Sequence, residues 1–517
     1  MTRSPFSPFS RRNFLQTSAG AVALGGASLA FPRIARAETK TLRIASGEAD
    51  SAAATMDPAR NLADPDSARI ALAYERLVKL DPEFNPVPEL AEGWETNDTG
   101  DVWTFRLLRG VKFHDGSEMT ANDVVFSYRR LVDPDVGSPA ASALSMLPMD
   151  GIEALDDYTV RFSLTSPVVT FPEVIATRFT YIAKAGQSDE ELRLRGIGTG
   201  PYKVESFVPG EDPSVFVRHD GYRREGLPKV DRVEMRSIPD DAARIAALRG
   251  GQIDINWDLP RVGIEVLEQD PNVEVIRTRS PFVMTMSMWT DTPPFDDVRV
   301  RMAMKLVVDR EAMVQLVLGG RGQLGNDNPV APWVRYAIDT PIRQRDVAEA
   351  RRLLAEAGHA DGLDVELYTS DTVFGFVEMP TVYQAMAAEA GINVRITQAP
   401  ADDYWSAIWL QVPFMCSSWS GRPADDALSV AYLSDAQWNE TRWKNADFDE
   451  AIAAARRTVD EAERTAHYHR AQELLRDDGG AIISMHPDAM AAMRSNISGW
   501  SLHPQQFSKD FSEVEIA

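Results

Sequence analysis

Residues 90–133 decide how this chain is to be read. They run Leu90-Ala91-Glu92-Gly93-Trp94, a polar turn Asn97-Asp98-Thr99-Gly100-Asp101, then Trp103-Thr104-Phe105-Arg106-Leu107 and Gly110-Val111-Lys112-Phe113-His114-Asp115-Gly116. They end on Thr120-Ala121-Asn122-Asp123-Val124-Val125-Phe126-Ser127. Trp103, Phe105 and Leu107 alternate with Thr104 and Arg106, the pattern of a strand with one apolar and one wet face. The turn at 97–101 supplies the short polar residues and the glycine that a reversal needs. Thr120 is placed as the N-cap of a helix whose apolar stripe is Val124, Val125, Tyr128 and Leu131. Hairpin, turn and capped helix account for these residues as scaffold.

In its order and length, this string resembles the signature of the family 5 extracytoplasmic solute-binding proteins, which serve ABC importers of peptides, nickel complexes and opines. A Gly196-x-Gly198-Thr199-Gly200-Pro201-Tyr202 corner resembles the same family. The resemblance implies an α/β periplasmic binding protein-like fold: two lobes, in three subdomains, joined by a two-strand hinge. Lobe I is expected over 38–280 with an inserted subdomain at about 83–195, lobe II over 281–486, and a return to lobe I over 487–517. The implied partners are a small solute or peptide and a membrane permease with its ATPase. No catalysis and no cofactor are implied, and a monomer is expected.

Residues 1–37 form a targeting segment. Ser10-Arg11-Arg12-Asn13-Phe14-Leu15 matches the twin-arginine export pattern, a weakly apolar Ala/Gly run over 19–30 follows, and Ala35-Arg36-Ala37 offers a small-any-small cleavage site before Glu38. The run falls short of the roughly 20 apolar residues of a membrane span. No other stretch reads as a span, so a soluble periplasmic protein is expected, and no cysteine at the cleavage point invites a lipid anchor.

At 517 residues the chain is too long for one core. Cleavage after residue 37 removes five arginines and no acid, taking the net charge from −23 to −28. Such a surface repels nucleic acid and anionic membranes. The only cysteine, Cys416, has no internal partner and reads as a small buried hydrophobe.

Beyond the leader, 41–45 reads as a strand, 69–80 as an amphipathic helix running into a strand at 78–80, and 230–255 as a strand-helix-strand unit. From 282 the pattern restarts: a strand at 283–289, one helix over 298–318, and two helix-strand pairs whose helices stop at Gly358 and Gly391. Helices over 448–455 and 461–475 and a strand over 482–485 precede the returning tail.

Several catalytic or cofactor patterns fail on context. Gly320, Gly322 and Gly325 have dinucleotide spacing but follow a helix rather than a strand. His467 and His469 sit about 200° apart around a helix and cannot share one metal. His114 and Asp115 belong to the scaffold turn.

The stretch most informative about ligand runs from Tyr404, Trp405 and Trp409 through Met415-Cys416-Ser417-Ser418-Trp419 to Ser420-Gly421-Arg422-Pro423-Ala424-Asp425-Asp426. An aromatic helix face, a strand and a polar loop carrying one arginine make the wall and the fixed polar group of a small-ligand cleft. A packed strand ending in a solvated arginine is the competing reading. In the resembled family this corner lines the ligand, and peptide binders often hold the ligand's ammonium there with an aspartate. Arg422 takes that place here, and its fork suits a carboxylate. Phe374 and Phe376 fall near where dipeptide binders use an arginine, which puts standard dipeptide recognition in doubt. Asp425 is the nearest alternative partner for an amine, with a loop-capping role as its competitor. Glu48, in the loop that borders the cleft in that family, together with Trp289 and Asn328, completes the candidate set.

Replacing both Arg11 and Arg12 with lysine should leave precursor in the cytoplasm. Unchanged periplasmic yield on fractionation would rule out the twin-arginine route.

Overall fold

Three sheets organise the computed structural model, which describes residues 39–259, 263–505 and 507–517. The leader and its cleavage site lie outside the described residues. Among the described residues no helix is long and apolar enough to cross a membrane.

The first sheet has seven strands. Thr41–Ser46 runs parallel to Arg232–Ser237 on one side and to Ile255–Asn256 on the other, and the helix Asp241–Arg249 connects those two neighbours. Ser214–Arg218 and Tyr202–Ser206 extend one edge as an antiparallel hairpin. The late strand Ala489–Arg494 inserts antiparallel between Ile255–Asn256 and Val273–Thr278. The second sheet is antiparallel, in the order Ala91–Thr96, Val102–Leu107, Thr159–Ser163, Ile152–Asp156. Its alternation is as the sequence predicts: Trp103, Phe105 and Leu107 are buried, while Thr104 and Arg106 face outward. Thr120 is the N-cap of the helix Ala121–Val132, and Asp123 reaches back to accept its N–H at 2.8 Å. The other oxygen of Asp123 accepts Ala185 N–H at 2.8 Å, so one carboxylate caps the helix and ties it to a distant loop.

The third sheet is mixed, in the order Ile392–Gln398, Leu363–Thr369, Phe414–Trp419, Val283–Met288, Ala481–Ile482. Val283–Met288 is buried along its whole length, as a central strand covered on both faces should be. The chain passes between the first and third sheets twice, at 279–282 and over 483–488, the second passage including the strand Met485–Pro487, which pairs with Gly322–Leu324. Beside the second passage, Asp488 pairs with Arg277 at 3.1 Å and accepts Gln323 Nε2 at 3.1 Å. The core around Phe105, Phe162 and Phe171 continues into Leu428, Phe448 and Tyr468 on the late helices Ala424–Tyr432, Ala446–Arg457 and Glu461–Asp478. Val169 N–H to Arg456 O at 2.9 Å and Glu173 to Arg335 at 3.0 Å stitch the same junction.

Three expectations require correction. The helix read over 69–80 is Asp64–Ala73, with Pro65 in its first turn and Asp64 and Asp66 at its positive end. Arg69 then lies inside it, held by Asp50 at 2.9 Å and Asp66 at 2.8 Å. The single helix over 298–318 is two, Val298–Leu306 and Arg310–Leu318, because Asp309 accepts Ala312 N–H at 2.9 Å and starts a new helix. The strand over 482–485 is split into Ala481–Ile482 and Met485–Pro487. The glycine stops hold: Gly358 and Gly391 adopt φ of +94° and +84°, the left-handed conformation that ends a helix.

The scaffold turn has an electrostatic consequence. His114 Nε2–H donates to Gly200 O at 3.1 Å while Nδ1 accepts Gly198 N–H at 3.3 Å, which fits the neutral ring. Burial pushes its pKa from 6.5 down to about 3. Burial lowers His219, His486 and His503 as well. A depressed imidazole stabilises the fold above its unfolded pKa and loses that contribution as pH falls, because the unfolded chain binds the proton first. Stability should therefore decline between pH 6.5 and 4, with His114 contributing at most about 1.4 kcal/mol per pH unit. In urea titrations at several pH values, His114→Gln should show a shallower decline, and an unchanged slope would exclude His114 as a source.

Candidate ligand-binding cleft

The strands Val283–Met288 and Phe414–Trp419 pair antiparallel with Val283 opposite Trp419, so Trp419 ends its strand beside the first passage between sheets. The loop that follows is pressed against that passage. A Cβ at Gly421 would lie 2.7 Å from Pro281 Cγ and 3.4 Å from Phe84 Cζ, closer than the proline can accept, so only glycine fits. Gly421 thereby fixes where Ser420, which is exposed, and Arg422 emerge.

Arg422 donates to Asp426 at 2.7 Å and lies with its guanidinium carbon 5.7 Å from the Trp419 ring centre. Its Nε is buried and makes no hydrogen bond among the described residues. The arginine lines a narrow crevice, with a cavity volume of about 10 Å³, together with Pro281, Val283, Pro329, Trp419 and Ala427. From Trp419 an aromatic ladder runs both ways: to Trp438 at 6.1 Å, and through Trp409 at 6.1 Å to Trp405 a further 5.9 Å on. Its ends, Trp405 and Trp438, are 41% and 42% exposed.

The aromatic helix face expected over 404–409 is a π-helical turn, Tyr404–Ile408, with Trp409 N–H bonded to Tyr404 O at 3.0 Å. The wider turn lets Tyr404 point inward, its hydroxyl donating to Cys416 O at 2.7 Å, while Trp405 is left outside. Phe376 packs behind them, 6.1 Å from Tyr404, and Phe374 is partly exposed. Cys416 is buried, and burial raises its thiol pKa to about 12.

Trp409 is oriented by a residue that the sequence reading missed. Its Nε1–H donates to Glu440 at 3.2 Å, and the other Glu440 oxygen accepts Thr285 at 3.1 Å and Ser287 at 2.8 Å. Glu440 is fully buried. The signal was the strand Val-Met-Thr-Met-Ser-Met: two hydroxyls on one face of a central apolar strand need a buried acceptor.

Other candidates belong elsewhere. Asp425 lies in the first turn of Ala424–Tyr432 and faces inward, where it accepts Arg456 at 2.8 Å and Tyr468 at 2.9 Å. The Asp425 charge in turn raises the Arg456 pKa. A carboxylate so occupied is not available to a ligand amine, which overturns that expectation. Asn328 is buried with both ends of its amide bonded, to Gln472 at 2.8 Å and to Val330 N–H at 3.1 Å. Trp289 follows Met288, at the opposite end of its strand from Trp419 and roughly 20 Å away at strand spacing. Its ring carries Arg442, 3.2 Å from the centroid. Glu48 is exposed and accepts Asp64 N–H at 2.9 Å, capping the helix that starts there.

Two α/β sheets joined by two passages, with an aromatic crevice at a strand end beside one of them, define a binding-protein fold. The family model for bacterial extracellular solute-binding proteins, family 5, matches residues 85–441, and the chain belongs to that family. The glutathione-binding protein GsiB of Salmonella choleraesuis is 28% identical over 96% of this chain and 98% of its own length. Di/tripeptide-binding protein 2 of Pseudomonas aeruginosa is 29% identical over 93% and 96%. The ABC transporter substrate-binding protein CtaP of Listeria monocytogenes has the same fold, with a TM-score of 0.82 at 22% identity over 93% of this chain and all of that one.

Glu440→Ala would leave the buried hydroxyls of Thr285 and Ser287 and the half-buried Trp409 indole without their acceptor and should cost roughly 2–4 kcal/mol in urea unfolding. Glu440→Gln, which keeps one acceptor oxygen, should cost less. Equal stability of wild type and Glu440→Ala would show that the carboxylate does not organise the wall.

Proposed function

We propose that this protein is the periplasmic solute-binding component of an ABC importer that captures a short peptide, or a related carboxylate-bearing solute, beside Arg422 and delivers it to the permease. The observation that carries this reading is the corner itself: a tryptophan ladder beside an arginine whose buried Nε makes no hydrogen bond among the described residues. An apolar wall with one fixed cation suits a small organic acid. The curated relatives support the peptide class, since they are binders of glutathione and of di- and tripeptides. An arginine where peptide binders of the family often hold an ammonium favours recognition through a carboxylate, and this keeps amino-acid conjugates such as opines as the second reading.

In this proposal the lobes meet near residues 280 and 487, and the two passages flex as the ligand is enclosed. The mature protein acts as a monomer and reaches the periplasm by the twin-arginine route.

Arg422→Ala tests the reading. Truncating one side of a buried carboxylate–arginine pair typically costs about 2 kcal/mol or more, so affinity for bound di- or tripeptide should fall roughly 30-fold or more. The ligand-free melting temperature should barely move, because the exposed Asp426 pair is worth less than about 1 kcal/mol. Arg422→Lys should recover only part of the loss. Calorimetry that finds wild-type affinity in the alanine variant would move the site away from this corner.

A further inference from the structure

The crevice beside Arg422 is lined by a polar side chain that the reading above leaves unused, Tyr432. It is the last residue of the helix Ala424–Tyr432, and it shares the crevice with Pro281 of the first passage and with Val283 just past it. Tyr432 is buried, and its hydroxyl makes no hydrogen bond among the described residues. Trp419 Nε1 and Arg422 Nε, on two other residues of the same lining, are likewise buried and unbonded among the described residues. Tyr74 and Tyr128 also carry unbonded hydroxyls, but neither lines this crevice. What sets Tyr432 apart is the company of two other unbonded donors around one small space.

Direct contact and shared lining hold the three together. The Arg422 guanidinium carbon lies 5.7 Å from the Trp419 ring centre, and both residues line the crevice with Tyr432. Val283, which pairs with Trp419 across the strands, lines it too. Ser417, two residues before Trp419 and so on the same face of its strand, adds a further buried hydroxyl without a hydrogen bond among the described residues. An indole N–H and a guanidinium N–H can only donate. Buried donors without acceptors are costly, so a cluster of them suits an acceptor that arrives from outside the chain. The volume sets what can arrive: about 10 Å³ takes one oxygen-sized atom and not a whole carboxyl group.

We propose that Tyr432 and Trp419 are binding residues for the solute: one oxygen of its carboxylate enters the crevice and accepts Tyr432 O–H and Trp419 Nε1–H together with Arg422 Nε–H, while the rest of the solute stays outside. A carboxylate oxygen suits this seat better than a neutral one, because it accepts several hydrogen bonds at once and one of the three donors is charged. Pro281 belongs to the first passage between the sheets, so an oxygen seated here also lies against the segment about which the lobes close. This rests on the reading that the corner takes a carboxylate-bearing solute, and it names the groups that read the carboxylate besides Arg422.

The test uses mature protein with alanine di- and tripeptides as free acids, and with analogues in which an ethylamide replaces the last residue and so removes the carboxylate. Affinities are measured by calorimetry. Tyr432→Phe keeps the ring and removes only the hydroxyl. It is expected to weaken free-acid binding about tenfold, while the ligand-free melting temperature stays at or above the wild-type value, because that hydroxyl has no protein partner to lose. The ethylamides should bind wild type more weakly than the free acids, and Tyr432→Phe should cost them little more, because both changes remove one interaction. Wild-type affinity for the free acids in Tyr432→Phe, or losses from the mutation and from the missing carboxylate that multiply independently, would overturn the seat and leave the peptide reading in place. A lowered ligand-free melting temperature with unchanged affinity would assign the hydroxyl to the fold and overturn the seat as well. If no alanine peptide binds wild type, both readings fall.

Discussion

The first sheet cannot be completed until the chain has built the third. Its edge strand Val273–Thr278 pairs only with Ala489–Arg494, a strand that enters after more than two hundred residues spent elsewhere. An unpaired strand leaves its backbone donors and acceptors to water or to another chain, so the returning tail completes the sheet rather than decorating it. That requirement forces two passages between the sheets, and it explains why they lie side by side. The contacts of Asp488 with Arg277 on the first sheet and with Gln323 on the strand Gly322–Leu324 mark the place where the second passage is tied down.

The same passages bring the corner from Trp419 to Arg422 into position. Val283 begins its strand just past the first passage and Trp419 ends the paired strand opposite it, so the loop 420–423 is delivered to the junction. Contact with Pro281 and Phe84 leaves room there only for glycine. Behind the loop, a fully buried carboxylate takes two strand hydroxyls and the Trp409 indole, converting an exposed aromatic surface into an oriented one. Buried polar networks of this kind are costly unless every member is satisfied, and those three donors are.

Charge is distributed unevenly over this protein. The surface is strongly acidic, yet the charged group that lines the crevice, Arg422, is a cation whose carboxylate partner, Asp426, is itself half exposed. Other half-buried arginines are paired, such as Arg456 with Asp425 and Arg335 with Glu173. An acidic exterior keeps such a protein away from polyanions.

The sequence by itself determined the parts whose causes are local. Alternation over 103–107 placed a strand, Thr120 with Asp123 started a helix, and Gly358 and Gly391 ended two, because each depends on residues at most a few positions apart. The strand and loop carrying Trp419 to Arg422 were legible for the same reason. Only the tertiary structure decided which side chains the corner keeps. Asp425 looked available until the helix Ala446–Arg457 brought Arg456 against it from 31 residues away, and Trp289 looked close until the strand register put it at the far end. Glu440 was invisible as a candidate because its donors come from a strand about 150 residues earlier in the chain. Local sequence sets backbone conformation, whereas the partner of a buried charge is set by which faces meet, and that is decided by packing across the whole chain.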